Sequence, residues 1–293
     1  MKPETELLLG KLMRLMPVKL TSQIGAILGR KEVLSRAGKN EAWVELFYHS
    51  IEQISGVSDP AEKRKLLIEF GKQVGRLYAE FNILHRIDQK RLIQIDGIEN
   101  LDNRTKPSIF VAPHLANWEV IFKVFTGLDN PTCTLYEPRE SEQKMAIVNK
   151  CRLDWGKNIQ LISTSEPMVM RSIQHKLENN CNVFILPDEE KDGYVSAPSL
   201  GRTIPYSGNR WMVSRLAVKY SLDVIPMYVE RFKSVNFKIH IDKKIRPQTD
   251  IENIQSARIV ADKIDDVFNY WIRKCPQHWY WMPYLDLNKK PNK

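Results

Sequence analysis

"SIFVAPHLANWEV", residues 108–120, is an apolar run that stops at Pro113 and is followed by His114 and, five positions on, Glu119. A short apolar run closed by a proline reads as a buried strand. The residues after it predict a helix over 117–125, opened by Asn117, a good N-cap residue. The same alternation recurs outward from this point. "RLIQID" (91–96), "TCTLYE" (132–137), "NIQLIS" (158–163), "NVFILPD" (182–188) and "DVIPMYVERF" (223–232) read as strands, and helical patterns cover 140–155, 166–178 and 208–220. Strands alternating with helices imply an α/β fold, a central and mostly parallel sheet flanked by helices. "VNFKIHID" (235–242) alternates faces and follows closely enough to make an antiparallel hairpin, and a long helix over 252–273 comes after it.

Upstream the chain is helical, with patterns over 40–56 and 60–85, the second opened by Ser58-Asp59-Pro60. The expected organisation is a helical N-terminal segment, 1–90, and an α/β domain, 91–293. At the start, Leu7–Met16 and the stretch from Leu20 through Ile24 and Ile27 to Lys31 read as two short amphipathic helices either side of Pro17. Residues 1–40 hold eight basic and three acidic side chains. That composition suits a membrane interface with anionic lipid; it equally suits a helical hairpin packed on the core with its charges solvated. Lys11, Arg14 and Lys19 interrupt the most apolar part, so no spanning helix is expected, and a cleavable signal peptide is not indicated.

The chain of 293 residues is 43% hydrophobic and carries 44 Lys and Arg against 35 Asp and Glu, a formal charge of +9. A core of globular size and an anionic partner follow: nucleic acid, an acidic membrane or an acidic protein. Nucleic acid has only the overall charge in its favour. Cys133, Cys151, Cys181 and Cys275 lie far apart with no C-x-x-C spacing, which indicates neither a disulfide framework nor a zinc site. The scattered histidines call for no metal, and no glycine-rich phosphate loop calls for a nucleotide cofactor.

In an open α/β sheet the working crevice lies beyond the carboxyl ends of the strands. Three polar groups fall there: His114, Tyr136–Arg139 and Asp188–Glu190. With six histidines and 35 acidic residues, roughly 0.7 His-x4-acid pairs arise by chance, so spacing alone decides nothing. In one continuous helix His114 and Glu119 would point about 140° apart; the break at Pro113 and a helix start near Asn117 let them meet. Glu119 would then hold the imidazole in one tautomer, making His114 a general base. The bland alternative is a histidine at a strand end beside a glutamate that favours a helix start. A base with no Ser or Cys beside it suggests that the substrate supplies the nucleophile, for example a hydroxyl attacking an activated acyl group. A hydrolase acting on water and a non-catalytic lipid- or carrier-binding module remain rival readings.

"VAPHLANWE", "LYEPRESE", "ILPDEEKDGYVSAPSLGRTIPYSGNRWMVSRLA", "DVIPMYVER" and "CPQHWYWM" occur in this order from about residue 107 to 282. Together they resemble the late acyltransferases of lipid A biosynthesis, within the wider group of His-x4-Asp/Glu glycerolipid acyltransferases. The resemblance implies transfer of a fatty acyl chain from acyl carrier protein to a hydroxyl of a lipid A precursor, at the cytoplasmic face of the bacterial inner membrane, without a cofactor. It implies His114 as general base with Glu119 as its partner, Arg139 on an anionic or carbonyl oxygen, and Asp188 and Glu190 shaping the acceptor site, with Asn117 and Tyr136 among the substrate-binding residues. Arg171, Lys176, Arg210, Arg215 and Lys219 are candidates for docking the acidic carrier. Glu137 stands where the family often has arginine, and Ser199 and Leu200 where it usually has two phenylalanines; these differences bear on the acceptor, so a related glycolipid, another amphiphilic alcohol or an acyl-CoA donor stays open.

Overall fold

The computed structural model describes residues 13–101, 106–138, 149–191 and 194–289. After a helical turn at 13–15 come α1 (Val18–Gly38), α2 (Ala42–Ser55) and α3 (Pro60–Glu80). The α3 start is the one expected, with Asp59 accepting from the Glu62 N–H at 2.8 Å and Pro60 in the first turn. Helix α2 buries Val44, Phe47, Ile51 and Ile54, one stripe at helical spacing, and stops at Gly56, whose φ of 73° provides the left-handed cap. Helices α1 and α3 touch backbone to backbone: a methyl group on Gly29 would overlap the Gly71 carbonyl, and one on Gly75 the Gly25 carbonyl. Of the two short N-terminal helices expected, most of the first lies outside the described residues, and the second is a single helix of 21 residues.

A short helix α4 (Leu84–Gln89) leads into the sheet, whose strands are β1 (Ile93–Asp96), β2 (Ile109–Val111), β3 (Thr132–Tyr136), β4 (Ile159–Ser163), β5 (Asn182–Ile185), β8 (Val224–Lys233) and β9 (Asn236–Ile241). Their order is β1-β9-β8-β2-β5-β3-β4. Every pairing is parallel except the β8–β9 hairpin. The fold is thus the mostly parallel α/β sheet with flanking helices that the alternating pattern implies. The central strands β2 and β5 are buried at every residue, which is why they read as uninterrupted apolar runs. A two-stranded ribbon of β6 (Glu190–Lys191) and β7 (Tyr194–Val195) stands apart.

The connecting helices are α5 (Phe122–Phe125), α6 (Val169–Glu178) and α7 (Gly208–Tyr220), and α8 (Asn253–Lys274) follows the hairpin. Two hydrophobic clusters flank the sheet, and one joins α2 residues Phe47 and Ile51 to β2, β5 and α8. The expected helix over 117–125 is a four-residue 3-10 turn, Trp118–Ile121, running into α5. Most of the helix expected over 140–155 lies outside the described residues.

Candidate active site

Strands β2 and β5 are parallel neighbours with Val111 opposite Ile185. His114 and Asp188 each lie three residues further on, so strand register delivers both to one point above the sheet. Asp188 is fully buried. Its Oδ2 accepts the His114 backbone N–H at 2.7 Å and the Trp279 indole N–H at 2.8 Å, while Oδ1 lies 2.8 Å from His114 Nδ1. A buried carboxylate at that distance requires the hydrogen on Nδ1. Trp281 Nε1, 3.1 Å from both Nδ1 and the Asp188 carbonyl oxygen, therefore gives its hydrogen to the carbonyl. Nε2 is left with the lone pair, and the side chain keeps 16% of its exposure. Edge-on packing by Trp118 and Trp281, with ring centroids 4.6 and 5.1 Å away, fixes the ring plane.

The segment after α8 closes this site like a strap. Tyr280 N–H donates to the His114 carbonyl at 2.9 Å, Ala116 N–H donates to the His278 carbonyl at 3.0 Å, and Leu115 faces Trp279 in an antiparallel bridge. Between these bonds Ala116 sits at φ 52°, a left-handed conformation that costs a non-glycine residue roughly 1–2 kcal/mol. The strap and the strand end together impose it. Burial lowers the His278 imidazole to about 4, with nearby Arg231 acting in the same direction and Glu69 and Glu230 opposing.

Glu119 does not meet His114, contrary to the expectation. It is 1% exposed and binds Arg152 through two bonds, Oε1 to Nη2 at 2.6 Å and Oε2 to Nε at 3.0 Å. Two causes account for this. The chain enters a tight 3-10 turn at Trp118, with Asn117 making no side-chain cap, and Arg152 offers the planar fork that a carboxylate fits best. Asn117 is not placed to touch substrate either: it is wholly buried, and its Nδ2 donates to Glu80 at 2.9 Å.

The other expected residues spread out. Tyr136 ends β3, which is separated from β2 by β5. Glu190 opens β6 two residues past Asp188 and is half-buried. Arg139 lies outside the described residues. Asp188, read as shaping the acceptor site, is instead the partner of His114. Of the carrier-docking candidates, Arg210 is buried and donates to the Ala261 and Pro205 carbonyls, whereas Arg171, Arg215 and Lys219 are exposed.

Residues that the sequence reading missed are Trp279, Trp281, Tyr280 and Arg152. A buried and a half-buried indole need acceptors and a buried carboxylate needs donors; that mutual need is the signal that could have joined "ILPD" to "HWYW". Among the described residues no group of three or more His, Cys, Asp or Glu is placed to hold a metal ion.

The family model for bacterial lipid A biosynthesis acyltransferases matches residues 6–285. The chain belongs to that family. This acyltransferase also resembles a solved structure, the 1-acyl-sn-glycerophosphate (LPA) acyltransferase PlsC from Thermotoga maritima. The likeness covers 79% of this chain and 97% of that one, at 15% identity and a TM-score of 0.35. Among curated proteins none matches. No described helix of the acyltransferase is long and apolar enough to cross a membrane.

Proposed function

We propose that the enzyme moves a fatty acyl chain from acyl carrier protein to a hydroxyl of a lipid A precursor or related membrane glycolipid, with His114 as general base. The observation that carries this reading is the Nδ1-protonated His114, locked on Asp188, with no serine or cysteine among the described residues bonded to its ring. Such a base serves a nucleophile brought by the substrate. The acceptor hydroxyl oxygen attacks the thioester carbonyl carbon as its proton passes to Nε2. The tetrahedral intermediate then expels the thiolate, which takes that proton from Nε2, leaving an ester and the free carrier thiol. Asp188 stabilises the imidazolium between the two steps. Arg139 belongs to the same proposal, as the guanidinium that would hold an anionic or carbonyl oxygen of the substrate.

Membrane and carrier belong to the same proposal. Helix α1 exposes Leu20, Ile27 and Leu28 beside exposed Lys19, Arg30 and Lys31, a surface suited to lying on anionic lipid. We place the enzyme as a peripheral protein on the cytoplasmic face of the inner membrane. Exposed Arg215 and Lys219 border a surface groove with Asn253 and Ile254, and that groove suits an acidic carrier. The test is transfer of labelled acyl groups from acyl carrier protein to a lipid A precursor by the wild type and by His114→Ala. Loss of ~10²-fold or more in the variant is expected; transfer retained within about tenfold would refute the base, and transfer from acyl-CoA alone would refute the donor.

A further inference from the structure

We infer that Glu80 is a positioning residue for the catalytic turn, acting through Asn117. The inference rests on the reading of His114 as the base. Glu80 ends α3 and is wholly buried. Its two carboxylate oxygens accept four hydrogen bonds from three separate parts of the chain: Arg231 Nη1 and Nη2 of β8 at 2.7 Å each, Ser22 Oγ of α1 at 2.7 Å, and Asn117 Nδ2 at 2.9 Å. Arg231 neutralises it, with its own side chain 3% exposed. Ser22 in turn accepts from Arg76 Nη1 at 2.7 Å.

Asn117 stands between His114 and Glu119, in the turn whose backbone is bent at Ala116. The strap holds one side of that turn, through the Ala116 N–H to His278 bond. Glu80 holds the other. Asn117 cannot serve substrate because it has no exposed surface, and its Oδ1 has no hydrogen-bond partner among the described residues. Its amide therefore has one polar task, the bond to Glu80. An apolar residue could fill the same space with no orphaned oxygen; the amide is explained by the tether it makes. Releasing the tether frees the turn that carries the His114 ring and the Glu119–Arg152 pair, and misplacement by an ångström at such a site costs up to about 10²-fold in rate.

The decisive variant is Asn117→Ala, which cuts the tether and leaves the Glu80–Arg231 pair intact. We expect kcat to fall about tenfold to a hundredfold with KM within about threefold. Amide hydrogen exchange should rise across residues 114–121 and stay unchanged in β3 and β4. Glu80→Gln should give a similar kcat loss, and the double variant should lose little more than either single one, because both act through one bond. The inference is overturned if exchange over 114–121 matches the wild type, if exchange rises equally throughout the sheet, or if kcat stays within twofold. Should Glu80→Gln fail to fold, Asn117→Ala decides alone. Should the wild type transfer no acyl group at all, the reading of His114 fails, while the exchange experiment still decides whether Glu80 holds the turn.

Discussion

Replacing Asp188 by Asn changes one atom, and the geometry around it fixes the consequence. Oδ2 receives two N–H donors, from the His114 backbone and Trp279, so the asparagine must keep its oxygen there. Its NH2 group then occupies the place of Oδ1, 2.8 Å from His114 Nδ1. A donor facing Nδ1 forces that nitrogen to accept, and the ring hydrogen moves to Nε2. The lone pair the acceptor hydroxyl needs is gone. A correctly placed general base contributes ~10² to 10⁴ in rate, and a tautomer inversion of this kind in a serine protease triad drops kcat by about 10⁴. At about 1.4 kcal/mol per decade, Asp188→Asn should raise the barrier by roughly 3–5 kcal/mol. Stability should change little, since both buried N–H groups keep their acceptor. The assay is single-turnover acyl transfer with saturating donor, alongside a thermal melt. A variant that is folded and transfers within tenfold of the wild type would refute the tautomer argument.

Other outcomes follow from the same contacts. Glu119→Gln strips the half-buried Arg152 of its counter-charge and should cost about 1–3 kcal/mol of stability in denaturant unfolding; an unchanged midpoint would show the pair to be dispensable. For His278, the folded value of about 4 lies below the ordinary 6.5. The depressed value means that its contribution is complete above pH 6.5 and is lost as pH falls toward 4. Stability should drop by about 3 kcal/mol over that window, and His278→Gln should flatten the dependence; a parallel curve for the variant would remove His278 as the cause. Changing Leu20, Ile27 and Leu28 together to Ser should weaken binding to anionic vesicles by roughly tenfold to a hundredfold, as measured by co-sedimentation, and undiminished binding would rule out this face of α1.

The sheet was legible because its central strands carry apolar side chains on both faces, so "SIFV" and "NVFI" stand out from the amphipathic helices between them. The β8–β9 hairpin was legible for the opposite reason, since Phe237, Ile239 and Ile241 are buried in alternation with half-buried neighbours. His114 was legible from its place at a strand end. Its partner was not. Which carboxylate reaches the ring depends on the register between β2 and β5, whose residues come together across 74 positions of sequence, whereas Glu119 is near in sequence and turned away by a 3-10 start. The indoles of Trp279 and Trp281 read as core aromatics because their bulk is visible in sequence and their N–H directions are not. The Glu80–Arg231 pair is hidden in the same way: each looks like a surface charge until α3 and β8 are set side by side.

The strap has a bearing on the order in which the enzyme becomes active. Trp279 and Tyr280 leave the ribosome after every strand and helix of the sheet, so a nascent chain carries His114 and Asp188 without the indole donor and backbone bonds that hold them. A chain halted after Cys275 would lack a fixed base and would also lose Trp279, Met282 and Leu285 from its core. The base is thus fixed in the same step that completes this part of the core, and whatever loosens the one loosens the other.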